Sequence, residues 1–387
     1  MKEKKTVLKI CCSEWKNASR DTRELNVCRS LGMDVTVIAK GANNCIDNVN
    51  GFKVYRLTTK PLGSYFPGSI NKIISLFTWA HKARQLSPNI ISGHDLEGLL
   101  IGYLSIVFRK QGRRPKLVYD AHEFELGRSR TTGHRLNYFV CSRLEKFLMK
   151  RSSLSVFVSE RIMQETLRIH RINTPSIVVR NIPLRWQIND DAIKEKRRYF
   201  ESIFGENQLV LMYHGALFEH RGIEQMLQIL SKRDNFSAFI LGNGSKTYED
   251  YLKKYVNSLG LNKRVCFHSF VPMDELLPFV GAADIGFAIM EPSTLSYYYS
   301  LPNKLFENIQ ALTPVIVSDF PELRAIIEHY HVGVAVNPTS LDEMLNAVDL
   351  WNDSSFVSSL AKNLAVAKEE LCWENEKQVL IDAYNAL

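Results

Sequence analysis

The sequence predicts an α/β chain in which a doubly wound parallel sheet is built twice in tandem. Three observations carry that expectation. Short β-rich runs alternate with helical segments through the first half, a charged stretch without strand signal (residues 186–206) interrupts them, and the same alternation then resumes to residue 336. Alternation of this kind is the pattern of a parallel sheet covered by helices on both faces. A chain of 387 residues with 45% hydrophobic content has material for two such cores.

In the first half the expected strands are Thr6–Cys12, Asp34–Ala39, Phe52–Leu57, Ile90–Ser92, Lys116–Asp120, Ser155–Val158 and Ser176–Val179. Between the first two, Leu25, Val27, Cys28 and Leu31 suit one face of a helix over Arg20–Leu31, and Gly32 follows as its C-terminal cap. The second series places strands at Leu209–His214, Ser237–Leu241, Val265–Ser269, Ile285–Ile289, Pro314–Val317 and Gly333–Val336. Helices are expected at Gly222–Leu230, Tyr248–Leu259, Met273–Ala282, Lys304–Ala311 and Pro321–Glu328. Residues Leu341–Leu387 read as helical, with a break near Trp373.

Seven scattered cysteines without a C-x-x-C pair fit a reducing cytoplasm rather than a disulfide framework. The N-terminal apolar run is broken by Lys9 and ends at Glu14, which suits a first strand better than an export signal. Leu96–Phe108, the longest apolar stretch, falls short of the ~20 residues needed to span a bilayer and is expected to be a buried helix. Charge divides the chain: residues 1–185 carry 32 Lys and Arg against 14 Asp and Glu, and the remainder carry 17 against 27. A basic first half is drawn to an anionic membrane surface, a phosphate-bearing acceptor or nucleic acid. Positive charge concentrates in residues 109–116 and 128–151, with Tyr138, Phe139, Phe147, Leu148 and Met149 interleaved. Tyr65, Phe66, Ile73, Ile74, Phe77 and Trp79 form a second, aromatic-rich candidate for a membrane face.

Two motifs carry chemistry. Tyr213 to Gly222 is a strand running into a glycine, a loop, and an Arg-Gly that opens a helix. That arrangement suits a diphosphate: Gly215 admits close backbone approach, the helix start offers free N–H groups, and Arg221 can pair with phosphate oxygens. Gly242 and Gly244 end the next strand, and glycine turns at successive strand ends line the crevice where doubly wound sheets bind nucleotides. The second motif is Ser300-Leu-Pro-Asn-Lys-Leu-Phe-Glu307, in which Lys304 and Glu307 share one face of a first helical turn. Lys304 can meet phosphate charge and Glu307 can accept ribose hydroxyls; a surface ion pair between them is the plainer alternative.

With these residues, the chain resembles the retaining GT-B glycosyltransferases of group 1, especially bacterial members that build capsule, lipopolysaccharide and other surface glycans. The resemblance runs nearly end to end, through Tyr119-Asp-Ala-His-Glu123, Val179-Arg-Asn-Ile-Pro183, His214-Gly, Arg221-Gly222, Leu241-Gly-Asn-Gly, Phe267-His-Ser-Phe-Val271, Ala283-Asp284, Leu301-Pro-Asn-Lys-Leu-Phe-Glu307 and Cys372-Trp-Glu374. It implies two Rossmann-like domains facing a central cleft: an acceptor domain over residues 1–185, a donor domain over 186–372, and a final helix, 373–387, that packs back on the first domain. It implies a UDP- or GDP-linked sugar as donor, a glycan or lipid-linked acceptor, no cofactor and no metal. Glu307 takes the ribose, Arg221 and Lys304 the diphosphate, and His122 the transferred sugar, with Glu123 as an acceptor-side carboxylate. Asn303 belongs to the same motif, and the turn bearing His268 and Phe270 meets the base. A cytoplasmic enzyme, peripheral on the inner face of the membrane, is the implied setting.

The sequence departs from many relatives in three places. Tyr299 stands eight residues before Glu307, where a second glutamate is common, and Glu291 lies sixteen before it; Ala216 follows the first glycine, where an arginine is common; Ser13–Arg20 lacks a glycine pair. Four other functions compete with transfer. They are a GT-B sugar-nucleotide epimerase, a relative that has lost activity, a non-enzymatic membrane binder, and a nucleic-acid binder, for which no aromatic RNA motif or zinc spacing is seen. Absence of G-x-G-x-x-G after either first strand argues against a dinucleotide oxidoreductase.

Overall fold

The computed structural model describes residues 4–15, 19–63, 65–107, 114–128 and 135–387. The chain divides into two compact units, Met1–Arg180 with Lys377–Leu387, and Asn181–Glu376.

The first unit is built from β1 (Thr6–Cys11), α1 (Ser19–Ser30), β2 (Asp34–Lys40), β3 (Cys45–Val49), β4 (Phe52–Leu57), α2 (Gly68–Leu86), β5 (Ile90–His94), α3 (Asp95–Ile106), β6 (Lys116–Ala121), α4 (Arg135–Met149), β7 (Leu154–Phe157), α5 (Glu160–His170) and β8 (Ser176–Val178). Its sheet runs in the order β3-β4-β2-β1-β5-β6-β7-β8. Every pairing is parallel except β3 with β4. The strands are apolar because helices cover both faces. α3 lies directly against β1 and β5: a Cβ on Gly98 would stand 2.6 Å from the Ile10 carbonyl oxygen, so this approach needs glycine. α3 is the buried apolar helix expected from the sequence, and no described helix is long and apolar enough to cross a membrane. Gly32 caps α1 with φ +77°, as its position suggests.

The second unit contains α6 (Asp190–Phe204), β9 (Leu209–His214), α7 (Ile223–Lys232), β10 (Phe236–Leu241), α8 (Lys246–Ser258), β11 (Val265–His268), α9 (Met273–Ala282), β12 (Ile285–Ala288), α10 (Leu295–Tyr298), α11 (Asn303–Gln310), β13 (Val315–Ser318), α12 (Pro321–Tyr330), β14 (Gly333–Val336), α13 (Leu341–Asp349) and α14 (Ser354–Glu370); α15 (Trp373–Asn385) ends the helical series. The sheet order is β11-β10-β9-β12-β13-β14, all parallel. Strand alternation sends Leu211 and Tyr213 of β9 to one core and Val210 and Met212 to the other.

Two expectations need correction. β3 was not foreseen, because CIDNV is an exposed edge strand with no buried face and hence no apolar alternation. The C-terminal segment is not helical throughout: a 3₁₀ turn at Leu350–Asn352 interrupts it, while the break expected near Trp373 is found at residues 371–372, just before Trp373 opens the last helix.

Candidate active site

In the second unit, β9 and β10 end side by side. The Gly215 N–H donates to the Leu241 carbonyl at 2.9 Å, and a Cβ on Gly242 would fall 1.8 Å from the Gly215 oxygen. These two turns touch backbone to backbone. Gly244 bridges to Leu217, continuing the contact. Gly215 has φ +119°, and the Lys304 side chain lies where its Cβ would point, with Cε 3.0 Å away. Gly222, at φ +79°, caps α7 immediately after Arg221.

Arg221 and Lys304 both meet neutral groups here. Arg221 donates to the Tyr297 hydroxyl at 3.2 Å and meets the Met290 sulfur at 3.6 Å, while its buried Nε has no hydrogen-bond partner. The Lys304 ammonium lies 3.5 Å from the centroid of the Tyr213 ring. Among the described residues no carboxylate is in ion-pair contact with either. Burial, and after it the charge of Arg221, holds the Lys304 pKa well below the ordinary lysine value, against the opposing pull of Glu307. The plain Lys304–Glu307 ion pair is therefore not what the first turn of α11 makes. Glu307, buried, takes His214 Nε2 at 2.9 Å through one carboxylate oxygen.

The remaining residues of this half surround the same strand ends. Asn303 opens α11 after Pro302. The Gly242 N–H donates to the His268 carbonyl at 2.8 Å, and the His268 ring packs 5.3 Å from that of Phe279. The Phe270 N–H donates to Asn243 at 2.9 Å and its ring is exposed. Glu291 is occupied by His220 at 2.7 Å and Gln225 at 2.6 Å, while Tyr299 caps α10. His214 and Tyr297 were not foreseen as partners of these groups. His214 stands in the quoted motif, but only the fold shows that it faces Glu307.

In the first unit, His122 sits at the end of β6. Its Nε2 lies 2.9 Å from Asp120, its ring packs tilted against that of His94 with centroids 3.7 Å apart, and its backbone N–H donates to Asp95 at 3.0 Å. Behind it, Lys9 of β1 contacts Asp120 directly, Asp21 at 3.0 Å and Glu24 at 3.3 Å, all of them buried. Burial alone would lower the His94 pKa; the hydrogen bond and charge of Asp21 outweigh it and raise it above the ordinary histidine value. Glu123 is exposed and pairs with Arg128 at 2.8 Å. The sequence signal for this network was Lys9, a charge inside an otherwise apolar strand. Asp21, His94, Asp120 and His122 hold ligand atoms within 4.8 Å of one another, a spacing that suits a cation. Lys9 already supplies one, since its ammonium bridges both carboxylates.

Of the aromatic-rich candidate for a membrane face, Tyr65, Phe66, Ile73 and Phe77 are exposed, but Trp79 is buried and belongs to the core. On α4, Tyr138, Phe139 and Phe147 are exposed while Leu148 and Met149 are buried. Most of the 109–116 run and residues 129–134 lie outside the described residues.

Residues 195–369 match the family described as glycosyl transferases group 1. A relative in Methanocaldococcus jannaschii, named an uncharacterized glycosyltransferase, is 25% identical across 97% of this chain and 98% of its own length. The chain is a glycosyltransferase. The stretch that matches group 1 lies within the second unit, and the β9, β10 and α11 ends described above fall inside it. The glycosyltransferase is also similar to the alpha-D-kanosaminyltransferase of Streptomyces kanamyceticus, 23% identical over 46% of each chain. Among solved structures, Anabaena HepE in complex with UDP superposes with a TM-score of 0.78 at 15% identity, covering 99% of this chain and 100% of that one. The glycosyltransferase thus shares the GT-B fold, two parallel-sheet Rossmann-like domains.

Proposed function

We propose that this enzyme transfers a sugar from a UDP-sugar to a glycan or lipid-linked acceptor, with retention at the anomeric carbon, in the synthesis of a bacterial surface polysaccharide. One observation carries the donor side: Arg221 and Lys304 stand together at the ends of parallel strands with only neutral partners among the described residues, and like charges so placed call for an anion of two phosphates. Complexes of HepE with UDP and with UDP-glucose support uridine as the base.

In the proposed reaction the acceptor oxygen bonds to the anomeric carbon as the bond to the diphosphate breaks, and a leaving phosphate oxygen takes the acceptor's proton. Arg221 and Lys304 offset the charge that develops on the diphosphate, which lowers the barrier without a protein nucleophile or a metal. The free oxygen of Glu307 accepts a ribose hydroxyl. His122, fixed by Asp120, orients a hydroxyl of the transferred sugar, and Glu123 stands on the acceptor side.

Membrane association rests on the first unit. Ile70, Ile73 and Phe77, at 43%, 57% and 60% exposure, line one side of α2, and Tyr138, Phe139 and Val140 add to them on α4 within a strongly basic half. These residues support a peripheral setting at the inner face of an anionic membrane. Flotation with anionic liposomes tests it: binding should weaken at high salt and with neutral lipid, and binding indifferent to both would contradict it. For the donor, a thermal-shift panel of UDP-, GDP- and ADP-sugars should select UDP, followed by transfer assays on Arg221→Ala and His122→Ala. Near-normal turnover in both variants would remove the assignment.

A further inference from the structure

We infer that the first unit holds a separate binding site for a phosphate ester, formed by Lys40, Lys60 and Lys72, and that the acceptor brings this group; the second clause rests on the glycosyltransferase reading. The site is a cavity of about 290 Å³, at the small end of ligand cavities. It lies where three neighbouring parallel strands end: Cys12 follows β1, Lys40 closes β2, and Lys60 follows β4. That is the side of an open α/β sheet on which ligands bind. Lys72 comes from the first turns of α2, and buried Trp79 forms part of the wall.

Three lysines and one glutamate line it. Glu97 pairs with Lys72 at 3.7 Å, while Lys40 and Lys60 have no ion-pair contact with a carboxylate among the described residues. The lining therefore keeps an excess of positive charge around a concave, partly apolar space, which favours an anion of more than one charge. A second cavity, of about 460 Å³, adjoins it and shares Cys12, Lys72 and Glu97. Its far wall is His94 and Asp95, at the end of β5. The strand order turns between β1 and β5, so this larger space occupies the crevice of the sheet. A molecule with its sugar or alcohol beside His94 and its phosphate on the lysines fills both.

The test titrates inorganic pyrophosphate by calorimetry into the full chain already saturated with UDP, so that the Arg221–Lys304 site is filled. Pyrophosphate should bind, should lose about tenfold or more in affinity in Lys40→Gln/Lys60→Gln/Lys72→Gln, and should gain several-fold in Glu97→Gln, where repulsion is removed. Absence of binding to the UDP-loaded chain, equal affinity in wild type and triple variant, or no gain in Glu97→Gln overturns the inference. The Glu97→Gln result stands even where the triple variant does not fold. UDP affinity, read in the first step and expected to be alike in all proteins, separates that outcome from failure of the donor site. Competition against pyrophosphate then identifies the source. Displacement by glucose 6-phosphate alone assigns a soluble phosphate ester; displacement by phosphatidylcholine vesicles carrying a polyprenyl phosphate assigns a lipid phosphate; displacement by neither overturns the assignment to an acceptor.

Discussion

The Lys304 ammonium lies 3.5 Å from the centroid of the Tyr213 ring, on the side where a Gly215 side chain would have stood. The ring face attracts the charge, but burial and the neighbouring Arg221 disfavour it more, and the lysine pKa is depressed. A diphosphate arriving beside this lysine favours its charged form and raises that pKa again.

UDP binding should therefore be linked to proton uptake. Affinity falls as pH rises through the depressed Lys304 pKa, earlier than an ordinary lysine would allow. Calorimetry in two buffers of different ionisation enthalpy measures the uptake, and Lys304→Arg, which stays charged, should abolish it. For folding the sign is opposite to that of a stabilised lysine. The unfolded chain binds the proton more tightly, so the penalty is complete below the depressed pKa and is relieved as pH rises toward the ordinary value of 10.5.

Arg221→Ala should lower kcat by about a hundredfold, the scale on which removing one charge-stabilising donor acts. Arg221→Lys should recover only part of it, because a point charge cannot reproduce the guanidinium fork. Steady-state transfer kinetics check both.

Gly242→Ala drives a Cβ to 1.8 Å from the Gly215 oxygen, so the two strand ends must separate. We expect a loss of about 1–3 kcal/mol in stability, on the scale of overpacking. UDP affinity should fall with it, because the same turns shape the diphosphate site. Thermal melting with and without UDP separates the two effects.

Lys9→Met removes the cation between buried Asp120, Asp21 and Glu24. Arg20 still reaches Glu24 at 2.8 Å and Asp120 at 3.5 Å, so the carboxylates keep part of their compensation and the loss should fall at the low end for a broken buried pair, about 3 kcal/mol. Adding Asp120→Asn should restore part of the loss, as coupled partners do. Urea unfolding measures it, and UDP binding by the second unit should be spared under native conditions.

Much of this was legible in the sequence, for identifiable reasons. Buried parallel strands are short and apolar, so β9 was placed to the residue, and Gly215, Gly242 and Gly244 marked the strand ends. Arg221 and Lys304 could be singled out because each adjoins a helix start near a glycine or proline. Their surroundings could not: Tyr297 lies 76 residues from the arginine it contacts, and Glu307 lies 93 from His214. Periodicity carries no information about such pairs. β3 escaped because an exposed edge strand buries nothing, and the exposed share of α2 could not be told from its buried share while Trp79 sat among its aromatics.

Calorimetric titration of UDP-glucose into the wild-type chain and into Arg221→Ala/Lys304→Ala probes the paired, uncompensated cations most directly. Saturable one-site binding to the wild type, weakened about a hundredfold or more in the double variant, is the predicted result. Equal affinity in the two proteins would show that the diphosphate is held elsewhere.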